Sequence, residues 1–267
     1  MGDALRLYFR YLGLSLRGQM QYRASFWMLT LGQMLITGIE FLGIWALFDR
    51  FGSLRGWSLP EVALLYGIVN CAFALAEGVG RGFDIFPEMV KSGDFDRLLL
   101  RPRSTALQVA GLEMQLMRIG RLVQGLAVLL WAASALHALW TPARVALLLF
   151  AICGGACLFY GLFILQATLS FWTIETLEIM NTVTYGGTET AQYPMTIYRP
   201  WFRLFFTFVV PLACMNYLPA NAILGRSPLP GLPLFVPWVA PAVGIIFLAL
   251  TLQIWRLGVR HYRSTGN

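Results

Sequence analysis

Residues 143–171 read ARVALLLFAICGGACLFYGLFILQATLSF, and this stretch decides the fold class. It contains a single charged residue, Arg144, close to its start. A helix needs about 20 mostly apolar residues to cross the hydrocarbon core of a bilayer, and this stretch is longer. Because a helix satisfies its own backbone hydrogen bonds where no water is present, we predict a membrane-spanning helix.

Five further apolar stretches of spanning length occupy most of the remaining chain. Charged residues make up only 12% of the 267 residues, about half the usual share in soluble proteins. We therefore expect one all-α integral membrane domain over residues 1–267, with six spans inside 24–256 and a cytoplasmic tail at 257–267. The other five predicted spans cover residues 24–48, 60–80, 122–140, 201–218 and 237–255.

Two segments outside the spans are predicted to touch the membrane without crossing it. Residues 1–23 place Leu5, Phe9 and Met20 on one helical face with arginines beside it, which is typical of an interfacial helix. The alternative is an N-terminal extension of the first span. Residues 219–237 are rich in Pro and Gly yet apolar, which favours a re-entrant element before the last helix, because irregular backbone cannot face lipid.

Basic residues are distributed unevenly between the two sides of the predicted membrane domain. Sixteen of the 20 Lys and Arg residues fall on the N-terminal side, including Arg199 and Arg203, with residues 173–200 taken as a cytoplasmic segment. The positive-inside rule then places both termini in the cytoplasm. This alternation explains the net charge of +7 without a nucleic-acid partner. The four cations on the opposite side are Arg50, Arg55, Arg144 and Arg226.

Motifs for chemistry are mostly missing from the sequence. Lys91 and Ser92 occur together, but Val90 stands where a phosphate-binding P-loop needs glycine. The two histidines lie near opposite faces of the predicted domain, so we expect no metal site, no catalytic residues and no cofactor in this chain. One enzymatic alternative stays open, because Glu175 and Glu178 have the i, i+3 spacing of an acid–base pair in a membrane lipid-modifying hydrolase.

Three polar side chains within the predicted spans are candidates for lining a pathway. They are Glu40, Asn70 and Gln166. An ionisable group inside the bilayer is costly, so Glu40 is a candidate functional residue. Alternatively, Glu40 is satisfied by Asn70 or Gln166 on a neighbouring helix. Near the inner span ends we expect an interhelical polar network formed by Glu77, Glu113, Arg118 and Arg121.

The connection between the second and third spans is predicted to form a helix–turn–helix elbow. Residues 87–102 read PEMVKSGDFDRLLLRP, in which Gly93 permits the positive φ of a helix end and Pro102 terminates the second helix. This loop resembles the first cytoplasmic loop of type-2 ATP-binding-cassette (ABC) exporter permeases. GDFDRLLLRP is similar to a bacterial subgroup whose substrates are largely unassigned. Supporting motifs are Phe171-Trp172 with Glu175, Tyr193-Pro194, Pro211 with NYLPANAILG at 216–225, and WRLGVRHYRS at 255–264.

The resemblance implies a multi-pass permease subunit of the bacterial plasma (inner) membrane. Family members work with a separate cytoplasmic ABC ATPase, which binds ATP and Mg. The resemblance also implies a second permease subunit, for which we favour a non-identical chain over a second identical copy. The elbow would be the coupling helix, with Phe95 and Met89 as apolar anchors in the ATPase. The predicted coupling residues are Glu88, Met89, Lys91, Gly93, Asp94, Phe95, Asp96 and Arg97.

The predicted topology can be tested with single cysteines in a chain whose native cysteines are replaced. Cysteines at Ser53 and Ser227 should react with a membrane-impermeant reagent added to intact cells, because both lie in predicted outer segments. A cysteine at Ser104 should react only after permeabilisation. Reaction of the Ser104 cysteine in intact cells would contradict the predicted orientation.

Overall fold

The computed structural model describes residues 10, 13–14, 17–113, 115–136, 140–173, 177–226 and 232–262, which form helices joined by turns and loops and contain no β-strand. Residues 17–20 are helical and a turn at 21–22 separates them from the first long helix; most of the predicted interfacial helix lies outside the described residues. The helices are α1 Arg23–Phe51, α2 Leu59–Asp84, α3 Phe86–Ser92, α4 Phe95–Leu99, α5 Thr105–Ala110, α6 Ile119–Ala135, α7 Pro142–Leu169, α8 Leu177–Ala191, α9 Pro200–Leu204, α10 Leu212–Met215, α11 Tyr217–Leu224, α12 Val236–Val239 and α13 Ala242–His261.

Four helical segments among these are long and apolar enough to cross a membrane. They are α1, α2 with its continuation α3, α7 and α13. A fifth candidate is a bent pair, formed by residues 200–209 and 212–224, whose arms meet at 72°. The third predicted span corresponds to α6, which is apolar but only 17 residues long. The structure is therefore an all-helical membrane protein with four to five span candidates.

Local sequence signals explain where the long helices begin. The backbone N–H of Ser58 donates to the Glu61 carboxylate at 2.8 Å, which completes a capping box at the start of α2. The Thr141 hydroxyl accepts a hydrogen bond from the Arg144 backbone N–H at 3.3 Å, and Pro142 occupies the first turn of α7. These contacts satisfy backbone donors that a helix start leaves without partners.

The central helix of the bundle is α2, which is buried along most of its length against α6 and α7. On the other side of α7 lies α13, and the two backbones meet at glycines. A Cβ atom on Gly244 would lie 1.9 Å from the Gly154 carbonyl oxygen, so neither chain tolerates a side chain at this crossing. Close approach through small residues is the usual way in which helices associate in lipid.

The bundle has two ends, which its connections define. The elbow end carries α3 and α4, and the loop end carries residues 52–58 between α1 and α2. The helix α8 starts near the elbow end, where Gln166 donates to Asn181 at 3.2 Å. Its continuation reaches the loop end, where Arg55 donates to the Thr196 carbonyl at 2.7 Å. The prediction that residues 173–200 stay on the elbow side is therefore wrong.

The bent pair enters and leaves the bundle at the loop end. Its first arm follows Thr196 directly, and after its second arm Arg226 binds the Glu61 carboxylate at 2.6 Å. Midway, a Cβ atom on Gly155 would lie 2.9 Å from the Met215 sulfur, so the pair reaches the middle of α7. The span predicted over 201–218 is therefore not one continuous helix, because it bends by 72° and both ends of the bent pair lie at the loop end.

Candidate functional site

The elbow has the predicted geometry of two short helices joined at a glycine. Gly93 has a φ of 75°, in the left-handed region, and ends α3. The Ser92 hydroxyl donates to the Asp94 carboxylate at 2.7 Å and steadies the turn before α4. Because Gly93 has no Cβ, it adopts this conformation without the strain that another residue would suffer.

The surface of the elbow that points away from the bundle is charged. Glu88, Lys91, Asp94 and Arg97 are all exposed, and we call them the outer face. Arg97 and Asp94 form an ion pair at 3.6 Å, one helical turn apart. Such an exposed pair contributes little to stability, so these charges remain available to a partner.

Phe95 does not belong to the outer face, because it is fully buried. Its ring centroid lies 4.9 Å from that of Phe86 and 5.0 Å from that of Tyr262. The prediction that Phe95 inserts into a groove of the ATPase is therefore wrong. Met89, the other predicted anchor, is partly exposed, and so is Asp96.

Phe95 instead lies within an aromatic cluster made of Phe86, Phe95, Phe171, Trp255 and Tyr262. Trp255 packs edge-on against Phe86 with centroids 4.8 Å apart, and Phe171 lies 5.4 Å from Trp255. The Trp255 indole also donates to the Thr105 hydroxyl at 3.0 Å. The cluster connects the elbow with the end of α7 and the last turns of α13.

A second group of interest is a buried polar cluster around Glu77. Its carboxylate lies 2.7 Å from the Arg118 guanidinium and 3.7 Å from that of Arg121. Arg121 also donates to the Asn70 side chain at 3.0 Å, and the Tyr185 hydroxyl lies 3.4 Å from Glu77. The predicted interhelical network is confirmed for Glu77, Arg118 and Arg121, whereas Glu113 forms no hydrogen bond or ion pair with them among the described residues.

Glu40 is not paired in the way the sequence suggested. Asn70 is taken by Arg121, and Gln166 donates to Asn181 near the elbow end. One Glu40 carboxylate oxygen is buried without a hydrogen-bond partner among the described residues. Glu189 on α8 is close enough to interact with Glu40 electrostatically, so two carboxylates face the same region.

The helix α8 carries a polar stripe along one side. Glu178, Thr182 and Glu189 are exposed, and Tyr185 between them is partly exposed. This spacing places the four residues on one helical face. Sequence reasoning missed this stripe because it takes residues 173–200 as a cytoplasmic segment between two spans.

Tyr198 connects the segment after α8 to the last turn of that helix. Its hydroxyl donates to the Thr190 carbonyl at 3.0 Å. Burial raises the pKa of Tyr198 to about 12, so the hydroxyl keeps its proton and remains a donor at physiological pH.

The hydrolase alternative has no support among the described residues. Glu178 lies exposed at the start of α8, and Glu175 lies outside the described residues. No group of three metal-binding side chains occurs in the part of the chain that the structure describes.

The fold and these sites define a multi-span membrane protein with a charged helical elbow at one end. The model of the ABC-2 family transporter protein matches residues 34–266, so the chain belongs to the ABC-2 transporter family. The resemblance drawn from the elbow and its supporting motifs is thereby confirmed. No curated protein and no solved structure matches the chain.

Replacing Phe95 tests whether it is a core residue or a surface anchor. Phe95→Ala should lower the free energy of unfolding by about 3 kcal/mol or more, because it leaves a cavity among four rings. Leu100→Ala is the matched control, since Leu100 is 85% exposed and its loss should be nearly neutral. Thermal unfolding in detergent measures both. Equal, small effects of the two replacements would contradict the aromatic cluster.

Proposed function

We propose that the chain is the membrane-spanning permease subunit of an ABC exporter, coupled to a separate cytoplasmic ATPase that binds ATP and Mg. The ABC-2 permease family generally works with such a subunit. The observation that carries the proposal is the elbow, which presents charges outward while the aromatic cluster joins it to α7 and α13. Such an element can transmit force between two proteins.

The coupling route differs from the one expected from sequence. The ATPase contacts the outer face, with Met89 beside it, while Phe95 transmits the displacement inward through ring contacts. Protein interiors are packed as densely as organic crystals and compress little. A shift of the elbow would therefore displace α7 and α13 through the aromatic rings by a similar distance. Among the predicted coupling residues, the charged side chains of the outer face bind the ATPase, and Gly93 forms the turn between the two short helices.

The proposed topology has six crossings, made by α1, α2, α6, α7, α8 and α13. The 17 residues of α6 span about 26 Å, and the preceding 3₁₀ turn at Leu116–Arg118 adds to this length. The bent pair is the re-entrant element and enters from the outside. In this topology Arg199 and Arg203 lie on the outer side, so fourteen Lys and Arg residues lie on the side of the termini and six on the opposite side, instead of sixteen and four. The excess still favours cytoplasmic termini.

The proposed path for substrate follows the polar stripe of α8 together with Glu40. Carboxylates and hydroxyls at this depth face a water-filled cavity or protein, because exposure to lipid is costly. One copy of the chain leaves the stripe uncovered. A second permease subunit closes the path; we favour a non-identical subunit, and a homodimer is the alternative. The assembly lies in a bacterial inner membrane.

The coupling proposal is tested by reversing two cations of the outer face. K91E together with R97E should reduce the ATPase that co-purifies with the tagged chain from its native membrane by about tenfold, because both cations meet the partner. R50E is the control, since Arg50 lies at the loop end. ATP hydrolysis in the purified complex provides the measurement.

Two results would count against this proposal. One is a wild-type chain that purifies without any ATPase activity. The other is a K91E/R97E chain that retains as much ATPase as the R50E control while the protein remains folded, as judged by its unfolding temperature.

A further inference from the structure

A groove at the elbow end lies apart from both the outer face and the polar stripe. It has a volume of about 660 Å³ and separates α5 from α7 and α13. Arg103 and Arg256 stand at its rim and are exposed. Its inner wall is formed by Leu107, Tyr160, Leu252 and Trp255.

The charges at the rim differ from other arginines of the protein. Arg81, Arg118, Arg121 and Arg226 each form an ion pair with a carboxylate. Within the described ranges, Arg103 and Arg256 form no such pair, and Arg256 has a 3.4 Å contact to Gln253 on its own helix. No carboxylate lines the groove. The rim therefore offers two positive charges to an anion.

The apolar wall of the groove indicates that the bound anion also has an apolar part. Leu252 lies one helical turn from Arg256 toward the middle of α13, and Tyr160 lies inside the spanning part of α7. An occupant that satisfies the groove must carry its negative charge at the end of the bundle and an apolar part at membrane depth.

We propose that this groove binds an anionic phospholipid, with its phosphate between Arg103 and Arg256 and one acyl chain along Leu107, Tyr160 and Leu252. In the proposed topology the elbow end faces the cytoplasm, and basic pockets between helices on that side suit the headgroups of anionic lipids. The groove volume falls in the range of small-molecule sites, which is enough for part of one lipid. The lipid would lie against Trp255 and thus beside the aromatic cluster.

Native mass spectrometry of the purified full chain tests the site. Phosphatidylglycerol and phosphatidylcholine with identical acyl chains are titrated in turn. The wild type should prefer phosphatidylglycerol, and R103Q/R256Q should weaken that preference about thirtyfold at low salt, given the usual gain for each basic residue near an anionic surface. R101Q/R260Q is the matched control, because these exposed arginines lie at the same end but outside the groove.

Two further measurements distinguish a lipid from other occupants. Ala106→Phe places a ring in the groove and should weaken binding of phosphatidylglycerol while both arginines remain. Inorganic phosphate at the concentration of the lipid should not displace phosphatidylglycerol, because it lacks the apolar part.

Any of three outcomes overturns the proposal. The first is an equal change of the lipid preference in R103Q/R256Q and R101Q/R260Q. The second is displacement of phosphatidylglycerol by inorganic phosphate, and the third is a wild type that binds both lipids equally well. If the wild type forms a dimer and retains no lipid, and R103Q/R256Q is monomeric, the groove binds a second copy of the chain and the proposal is also overturned.

Discussion

The ion pair between Glu77 and Arg118 is the contact on which the arrangement of the helices depends. In lipid, no water competes for a buried carboxylate, so its partners must come from the protein. Arg118 and Arg121 precede and begin α6, and through them Glu77 fixes α6 against α2. Arg121 then binds Asn70, while the hydroxyl of Tyr66 donates to the Thr37 carbonyl at 2.7 Å and brings in α1. Polar contacts thus specify which helices are neighbours, and apolar packing fills the space between them.

At the elbow end, the contacts between elements are made largely by aromatic rings. The aromatic cluster joins chain segments that are far apart in sequence, from Phe86 to Tyr262. It lies between the charged outer face and the α7–α13 crossing, where glycines bring two backbones into contact. Aromatic and glycine contacts are rigid, because neither has long flexible side chains to absorb a displacement. The proposed coupling depends on this rigidity, because a movement that the ATPase imposes on the elbow would pass through these contacts to α7 and α13.

Local signals made the elbow and the helix starts predictable: Gly93 joins the two short helices of the elbow, Pro102 follows the second, and Ser58 with Glu61 caps α2. The burial of Phe95 was not predictable, because its partners Phe171 and Tyr262 are distant in sequence. The polar run in α8 was misassigned because hydropathy discounts threonines that are satisfied locally. The hydroxyls of Thr188 and Thr190 each donate to a carbonyl one turn back, at 2.9 and 2.7 Å, so their hydrogen-bonding needs are met within the helix. The converse error occurred at 201–218, where an apolar composition concealed a bend of 72°.

The central claim is that α8 crosses the membrane and exposes a polar face along the path. Its most direct test is a single cysteine at Ile197, in the segment that Arg55 holds at the loop end. The account predicts that this cysteine reacts with a membrane-impermeant maleimide added to intact cells, as is expected of a cysteine at Ser53. Reaction only after permeabilisation, as expected for Ser104, would return residues 173–200 to the cytoplasm and contradict the account.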